Sequence, residues 1–253
     1  MNDEDPLEAG SLTLLGHLNE LRIRLTYVAV ALLITTAFSF AFAEPVLQFL
    51  LEPYADSING EVELQTLEPT EGIETFFKVS LLAGAIFSMP MILYQFWKFV
   101  VPGLTRDERR YVFIFLPSAL ILFALGILFA WFVLIPAAVF FLANFLGTIF
   151  KTDWTPSGYI GFVLRMLFWI GLAFEMPVVV YFVARVGVVT AKALREQWRI
   201  AVVGIAVLAA IITPSIDPVT MLLTMAPLVV LYILSIGLAV IGQRQFERSM
   251  ALE

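Results

Sequence analysis

The sequence contains no cysteine, only one histidine and few charged residues. Without cysteine there can be no disulfide bond, iron–sulfur cluster or thiol nucleophile. The single His17 makes a histidine metal cluster or a Ser/His/Asp triad hard to build, and neither H-E-x-x-H nor G-x-S-x-G occurs. The net charge of −6 argues against nucleic acid as a partner. We therefore expect neither an enzyme nor a protein with a metal ion or cofactor.

Apolar side chains dominate what is present. They make up 60% of the 253 residues, including 23 Phe, and mean hydropathy is +0.93. Only 14% of residues are charged, against about 25% in a typical soluble domain. A soluble globule of this size could not bury so much apolar surface and still cover itself with polar groups. The composition predicts an all-α integral membrane protein embedded in the lipid bilayer.

Six apolar segments are candidates for membrane spans, each of which needs about 20 residues to cross a hydrocarbon core of about 30 Å. The fifth has about 13 apolar residues and would cover only about 20 Å, so we expect a short fifth span. We expect Pro136 to end the third span and to begin an interfacial helix over 136–146. The segments lie at about 25–43, 76–101, 111–134, 159–183, 200–212 and 219–241.

The distribution of charge predicts the orientation. Most of the 15 Lys and Arg residues fall before the first segment, between segments two and three, between four and five, or after six. The loop between segments one and two has many acids and no base. Since basic loops remain in the cytoplasm, both termini are predicted to be cytoplasmic. We treat 1–253 as a single transmembrane domain with an acidic N-terminal tail (1–16), an outer loop (44–75), two cytoplasmic loops (102–110 and 184–199) and a cytoplasmic tail (242–253).

Glu175 lies deep inside the fourth segment and is followed by Pro177. A carboxylate at the middle of a bilayer costs about 2.5–3.5 kcal/mol on insertion scales, so it should face protein, water or a partner. Pro177 is expected to loosen the helix there. The functional interpretation is a polar contact for another helix or an ion or proton site. The structural alternative is a neutral Glu satisfied by an internal hydrogen bond.

Two acids stand among bases at the predicted cytoplasmic surface, Glu20 and Glu108. On the residues alone, ordinary i,i+4 pairing such as Glu20 with Arg24 is the simpler interpretation. The alternative is that both carboxylates receive a cationic ligand, for which a guanidinium is the natural fit.

Five sequence pieces in this order resemble the TatC family, the multispanning core subunit of the twin-arginine protein translocase. The resemblance covers nearly the whole chain after the acidic tail. The pieces are HLNELRIRL at 17–25, PTE at 69–71 with FFK at 76–78, YQFWKF at 94–99 with PGL at 102–104 and ERR at 108–110, FEMP at 174–177, and TP at 213–214 with DP at 217–218.

The resemblance implies a non-enzymatic receptor and scaffold for folded proteins, driven by the proton-motive force. Glu20 and Glu108 would receive the arginines of a twin-arginine signal peptide, and Arg22, Phe99 and Arg109 would shape the same patch. Glu175, Asp217 and Met221 would contact single-span TatA- and TatB-like subunits. The outer-loop motif contributes Pro69, Glu71, Phe76 and Lys78. The fold implied is a concave, cupped bundle in a bacterial-type cytoplasmic membrane, with further copies of itself in the complex.

Departures from the family pattern and one competing function stay open at this point. Met221 stands where many relatives have Gln, and Ile233 stands where Leu-Tyr-Glu is common. Both weaken any expectation about how the sixth span joins a partner. The competing function is a small-solute or ion transporter that uses Glu175 as a protonatable site. The sequence shows no convincing repeat between its halves, which such transporters often have. An intramembrane enzyme ranks well below both.

Overall fold

The computed structural model describes residues 6–58, 64–100, 106–145, 154–213 and 218–250. Within these ranges the chain is helical and contains no β-strand, as the composition predicts. The elements are α1 (Pro6–Ser39), a 3₁₀ turn (Phe40–Phe42), α2 (Ala43–Ile58), α3 (Glu71–Val100), α4 (Arg106–Phe129), a π-helical turn (Ala130–Leu134), α5 (Ile135–Asn144), α6 (Pro156–Ala173), α7 (Met176–Arg185), α8 (Ala191–Glu196), α9 (Trp198–Ile212) and α10 (Pro218–Met250).

Five helical stretches in the described residues are long and apolar enough to cross a membrane. A sixth apolar helix, α9, has only 15 residues and covers about 22 Å at 1.5 Å per residue. The structure thus contains the short fifth segment that the sequence predicts. The five longer stretches are Gly16–Ser57, Glu71–Phe99, Phe115–Asn144, Pro156–Arg185 and Pro218–Glu247.

The chain around Pro136 differs from the prediction, because the helix does not end there. A π-helical turn over Ala130–Leu134 joins α4 directly to α5. Pro136, which has no N–H to donate, lies at the second position of α5, directly after this turn. The expected break in the third span is therefore wrong, since the π turn takes up the irregularity that proline imposes.

The fourth span is interrupted where Pro177 predicts. Helix α6 ends at Ala173, a turn follows at Phe174 and Glu175, and α7 begins at Met176. Pro177 occupies the first turn of α7, where proline is tolerated. The interruption places the Glu175 side chain at the junction of two short helices rather than along a continuous one.

Helices α1 and α3 pack side by side in opposite directions. His17 in the first half of α1 stacks on Phe99 at the end of α3, whereas Phe40 in the 3₁₀ turn after α1 contacts Phe77 near the start of α3. Midway, a Cβ added to Gly84 would lie 2.6 Å from the Thr36 Cα, so the two backbones approach closely because residue 84 has no side chain.

Three apolar clusters hold the helices together within the described residues. The largest lies among α2, α5, α6, α9 and α10 and includes Tyr54 and Tyr159. A second lies among α3, α4 and α7, around Trp97, Phe115 and Phe182. The third joins α7, α8 and α10 through small alanine side chains. Many large apolar side chains instead face outward, which is expected when lipid replaces water as the solvent. The most exposed of them include Leu33, Ile34, Phe38, Phe132, Phe140, Ile200 and Leu222.

Candidate functional site

A polar cluster joins the middle of α1 to the end of α3, and we call it the Glu20 cluster: His17, Glu20, Arg24, Gln95 and Phe99. Residues three and four apart share one face of a helix, which aligns His17, Glu20 and Arg24 on α1. The same spacing places Gln95 and Phe99 on one face of α3. The antiparallel packing of the two helices then brings both faces together.

Glu20 is held by Arg24 within this cluster. The Arg24 Nε donates to Glu20 Oε1 at 3.1 Å, and Arg24 Nη2 donates to the same oxygen. Arg24 Nη1 also reaches the buried Gln95, donating to its Oε1 at 3.3 Å. The i,i+4 pairing of Glu20 with Arg24 is thus confirmed. Gln95 ties this ion pair to the neighbouring helix.

The second carboxylate oxygen of Glu20 accepts no hydrogen bond from the described residues. The His17 Nδ1 lies 4.0 Å from Glu20 Oε2. The His17 ring stacks on Phe99 with centroids 4.4 Å apart, so an aromatic surface borders the carboxylate. The Glu20 side chain is 29% exposed. A half-buried carboxylate beside an aromatic pair is suited to binding a guanidinium group.

The other residues expected at this surface are only partly described. Arg22 is exposed and, two residues from Glu20, points to nearly the opposite side of α1. Its carbonyl accepts a hydrogen bond from Thr26 Oγ1 at 2.9 Å. Glu108 and Arg109 lie in the first turns of α4. Their side chains fall outside the described residues.

Glu175 lies in a cavity of about 360 Å³ between α3 and the α6–α7 junction. Its side chain is 6% exposed, and Oε1 has no hydrogen-bond partner among the described residues. The Nε1 atom of Trp97, which lines the same cavity, also has no such partner. One unpaired acceptor and one unpaired donor therefore share an otherwise apolar cavity. An unmade buried hydrogen bond of this kind costs about 1–3 kcal/mol.

The other two residues of the expected partner contact are not brought to Glu175 by any described contact. Met221 is half-buried near the start of α10, next to the buried Thr220. Asp217 lies outside the described residues.

The outer-loop motif contains a second tightly held carboxylate. Glu71 is buried at the start of α3 and accepts hydrogen bonds from the Ser157 N–H at 3.1 Å, from Ser157 Oγ and from the Leu67 N–H at 3.0 Å. These contacts fasten the start of α3 to the start of α6. In the same motif, Lys78 pairs with Glu74 at 2.6 Å.

The remaining members of that motif flank this junction. Pro69 is exposed in the turn before α3. Phe76 is half-buried, and its ring centroid lies 5.7 Å from that of Phe40.

Sequence reasoning missed Gln95 and Ser157 as site residues. Gln95 is the polar residue inside an apolar span, in the segment YQFWKF, and that was the available signal. Ser157 carries no comparable signal. A serine at the start of a helix usually serves that helix alone.

Comparison with known proteins shows which family shares this sequence and fold. The family model described as Sec-independent protein translocase protein (TatC) matches residues 16–227. The TatC protein of Aquifex aeolicus is 39% identical over 236 residues, covering 92% of this chain and 97% of that protein. The TatC protein of Carboxydothermus hydrogenoformans is 35% identical over 233 residues, covering 92% and 95%.

A solved structure agrees with these sequence matches. A crystal structure of the twin-arginine translocase receptor TatC superposes with a TM-score of 0.82 at 39% identity, covering 89% of this chain and 99% of that one. Fold and sequence agree along nearly the whole length of both. The chain belongs to the TatC family of Sec-independent protein translocase proteins.

Proposed function

We propose that this protein is the receptor and scaffold subunit of a translocase that exports folded proteins bearing twin-arginine signal peptides, driven by the proton-motive force. Family membership supports protein translocation over the transport of a small solute. The observation that carries the receptor role is the Glu20 cluster, in which Arg24 binds one carboxylate oxygen and the other, beside an aromatic pair, accepts no hydrogen bond from the described residues.

The chemistry of the cluster suits an arginine ligand. A guanidinium group presents several N–H donors in one plane, and it stacks well on aromatic rings. Glu20 Oε2 supplies the acceptor, and the stacked His17 and Phe99 supply an aromatic surface. Glu108 would receive the second arginine, with Arg109 bordering the patch.

The proposed topology follows from charge and helix length. The five long stretches and α9 would give six crossings in a cupped bundle, with both termini in the cytoplasm and the protein in a bacterial-type cytoplasmic membrane. Because α9 covers only about 22 Å, we expect the bilayer to thin beside it, or the turn after it to lie below the outer surface.

Glu175 is the proposed contact for single-span TatA- and TatB-like subunits. Its unpaired Oε1 would accept a hydrogen bond from a polar side chain in a partner's membrane helix. Asp217 and Met221 would extend this contact toward α10. Further copies of the chain would complete the complex.

Photocrosslinking of a twin-arginine signal peptide to the protein in membranes tests the receptor role. We expect Glu20→Gln and Glu108→Gln each to reduce crosslinking, and a twin-lysine peptide to crosslink poorly to the wild type. Glu196→Gln is the matched control, because Glu196 is also paired at i,i+4, with Lys192 at 3.8 Å, but lies in the other cytoplasmic loop. A double variant of Glu20 and Glu108 that crosslinks like the wild type would overturn the assignment.

A further inference from the structure

A second cavity of about 520 Å³ lies among α1, α3 and α6, away from the Glu20 cluster and from Glu175. We call it the α1–α3–α6 groove. Its volume falls within the range of small-molecule sites, about 300–1,000 Å³. Its walls are mostly aliphatic and aromatic, and they include Leu32, Leu81, Leu82, Leu164, Phe168 and Trp169.

Two cations, Lys78 and Arg165, line this apolar groove. Arg165 is exposed and has no hydrogen bond or ion pair within the described part of the chain. Lys78 pairs with Glu74, but an ammonium has three donors, so others remain free for a ligand. The groove lining contains no carboxylate that would neutralise Arg165.

Both cations lie at the same depth in the bundle. The Ser157–Glu71 hydrogen bond at 3.1 Å fixes the starts of α3 and α6 at one level. Lys78 is then about 10 Å beyond Glu71, and Arg165 about 12 Å beyond Ser157, along their helices at 1.5 Å per residue. Long basic side chains at that depth extend toward the lipid headgroups and leave their aliphatic parts in the apolar region.

We propose that the α1–α3–α6 groove binds an anionic phospholipid, with its phosphate on Arg165 and Lys78 and an acyl chain along the apolar wall. Charge complementarity favours this occupant, because a purely apolar partner helix would bury Arg165 without a counter-charge and leave Lys78 with Glu74 alone. A lipid phosphate binds both cations, supplies the negative charge and remains near water. The site lies outside the proposed signal-peptide surface, so each proposal can fail without the other.

Native mass spectrometry of the full-length protein with an equal mixture of phosphatidylglycerol and phosphatidylcholine of matched chains tests this site. We expect selective retention of phosphatidylglycerol. The double variant Lys78→Gln/Arg165→Gln should lower that retention at least about tenfold, since each cation near anionic lipid favours binding about fivefold. The control Lys192→Gln/Arg199→Gln removes the same charge from α8 and α9 and should retain lipid like the wild type.

A second variant keeps both cations and fills the groove. A Cβ at Gly161 meets no atom within 4 Å, so Gly161→Leu should fold normally and still displace the acyl chain. Brominated phosphatidylglycerol should quench Trp169 fluorescence, measured as the difference between the wild type and Trp169→Phe, and Gly161→Leu should reduce that quenching.

Equal retention of the two lipids, or unchanged retention in the double variant, would overturn the proposal. So would a photoreactive residue at position 81 that crosslinks to a protein rather than to lipid in native membranes.

Discussion

The substitution Arg24→Gln tests how the Glu20 cluster binds an arginine. In the structure Arg24 occupies Glu20 Oε1 and repels any second guanidinium at Oε2. Its removal frees one acceptor and removes one like charge. Both effects favour an incoming arginine, so we expect the variant to bind a twin-arginine peptide more tightly than the wild type.

The exposure of the pair sets the size of this effect. The side chains of Arg24 and Glu20 are 15% and 29% exposed, so their pairing is worth more than a fully solvated pair but is still screened by water. A value of about 0.5–1 kcal/mol is reasonable, at the upper end for surface pairs. The corresponding change in the peptide Kd is about two- to fivefold.

Fluorescence anisotropy of a labelled signal peptide with detergent-solubilised protein would measure this change. Arg199→Gln is the matched control, because Arg199 is exposed, contacts the neighbouring Trp198 ring and carries the same charge. It should shift the Kd only slightly. If Arg24→Gln bound the peptide like the wild type or more weakly, competition between Arg24 and the ligand for Glu20 would be refuted.

Substitutions at three further positions test the packing and the buried carboxylates. Gly84→Val should lower the free energy of unfolding by about 1–3 kcal/mol in thermal denaturation, because the new side chain meets the Thr36 backbone. Ser157→Ala should lower it by about 1–3 kcal/mol by taking the Ser157 Oγ donor from buried Glu71. Glu175→Leu should leave peptide binding unchanged but reduce co-purification of the single-span subunits, while Glu175→Gln keeps an acceptor and should preserve part of it.

Matched variants separate these effects from general disturbance. Gly237→Val is the control for Gly84, because a Cβ there meets nothing within 4 Å, and it should unfold like the wild type. Ser118→Ala is the control for Ser157, since its Oγ bonds only the Phe115 carbonyl of the same helix. Equal losses in a test variant and its control would contradict the role assigned to that contact. If the single-span subunits co-purified with Glu175→Leu as well as with the wild type, the role proposed for Glu175 would be contradicted.

Local features of the chain were predictable from sequence, because they depend on residues near each other. The apolar runs predicted the helices, and the spacing of Glu20 and Arg24 predicted their ion pair. Pro177 predicted the interruption beside Glu175. The break predicted at Pro136 was wrong. A π-helical turn precedes this proline, and the helix continues through it into α5.

Contacts between distant helices were not predictable in the same way. Gln95 meets Arg24 across 71 residues, and Ser157 meets Glu71 across 86. Each contact depends on how α1, α3 and α6 pack, and no local spacing encodes that packing. Family resemblance supplied the expected roles of Glu20 and Glu175, but not the groove beside Lys78 and Arg165.

A double-mutant cycle between the protein and the signal peptide tests the receptor role most directly. The Kd is measured for wild type and Glu20→Gln, each with the twin-arginine peptide and with peptides in which either arginine is replaced by glutamine. If Glu20 receives one of the arginines, one replacement should show a coupling energy of at least about 0.5 kcal/mol with Glu20. Strictly additive losses for both arginines would contradict direct contact between Glu20 and the peptide.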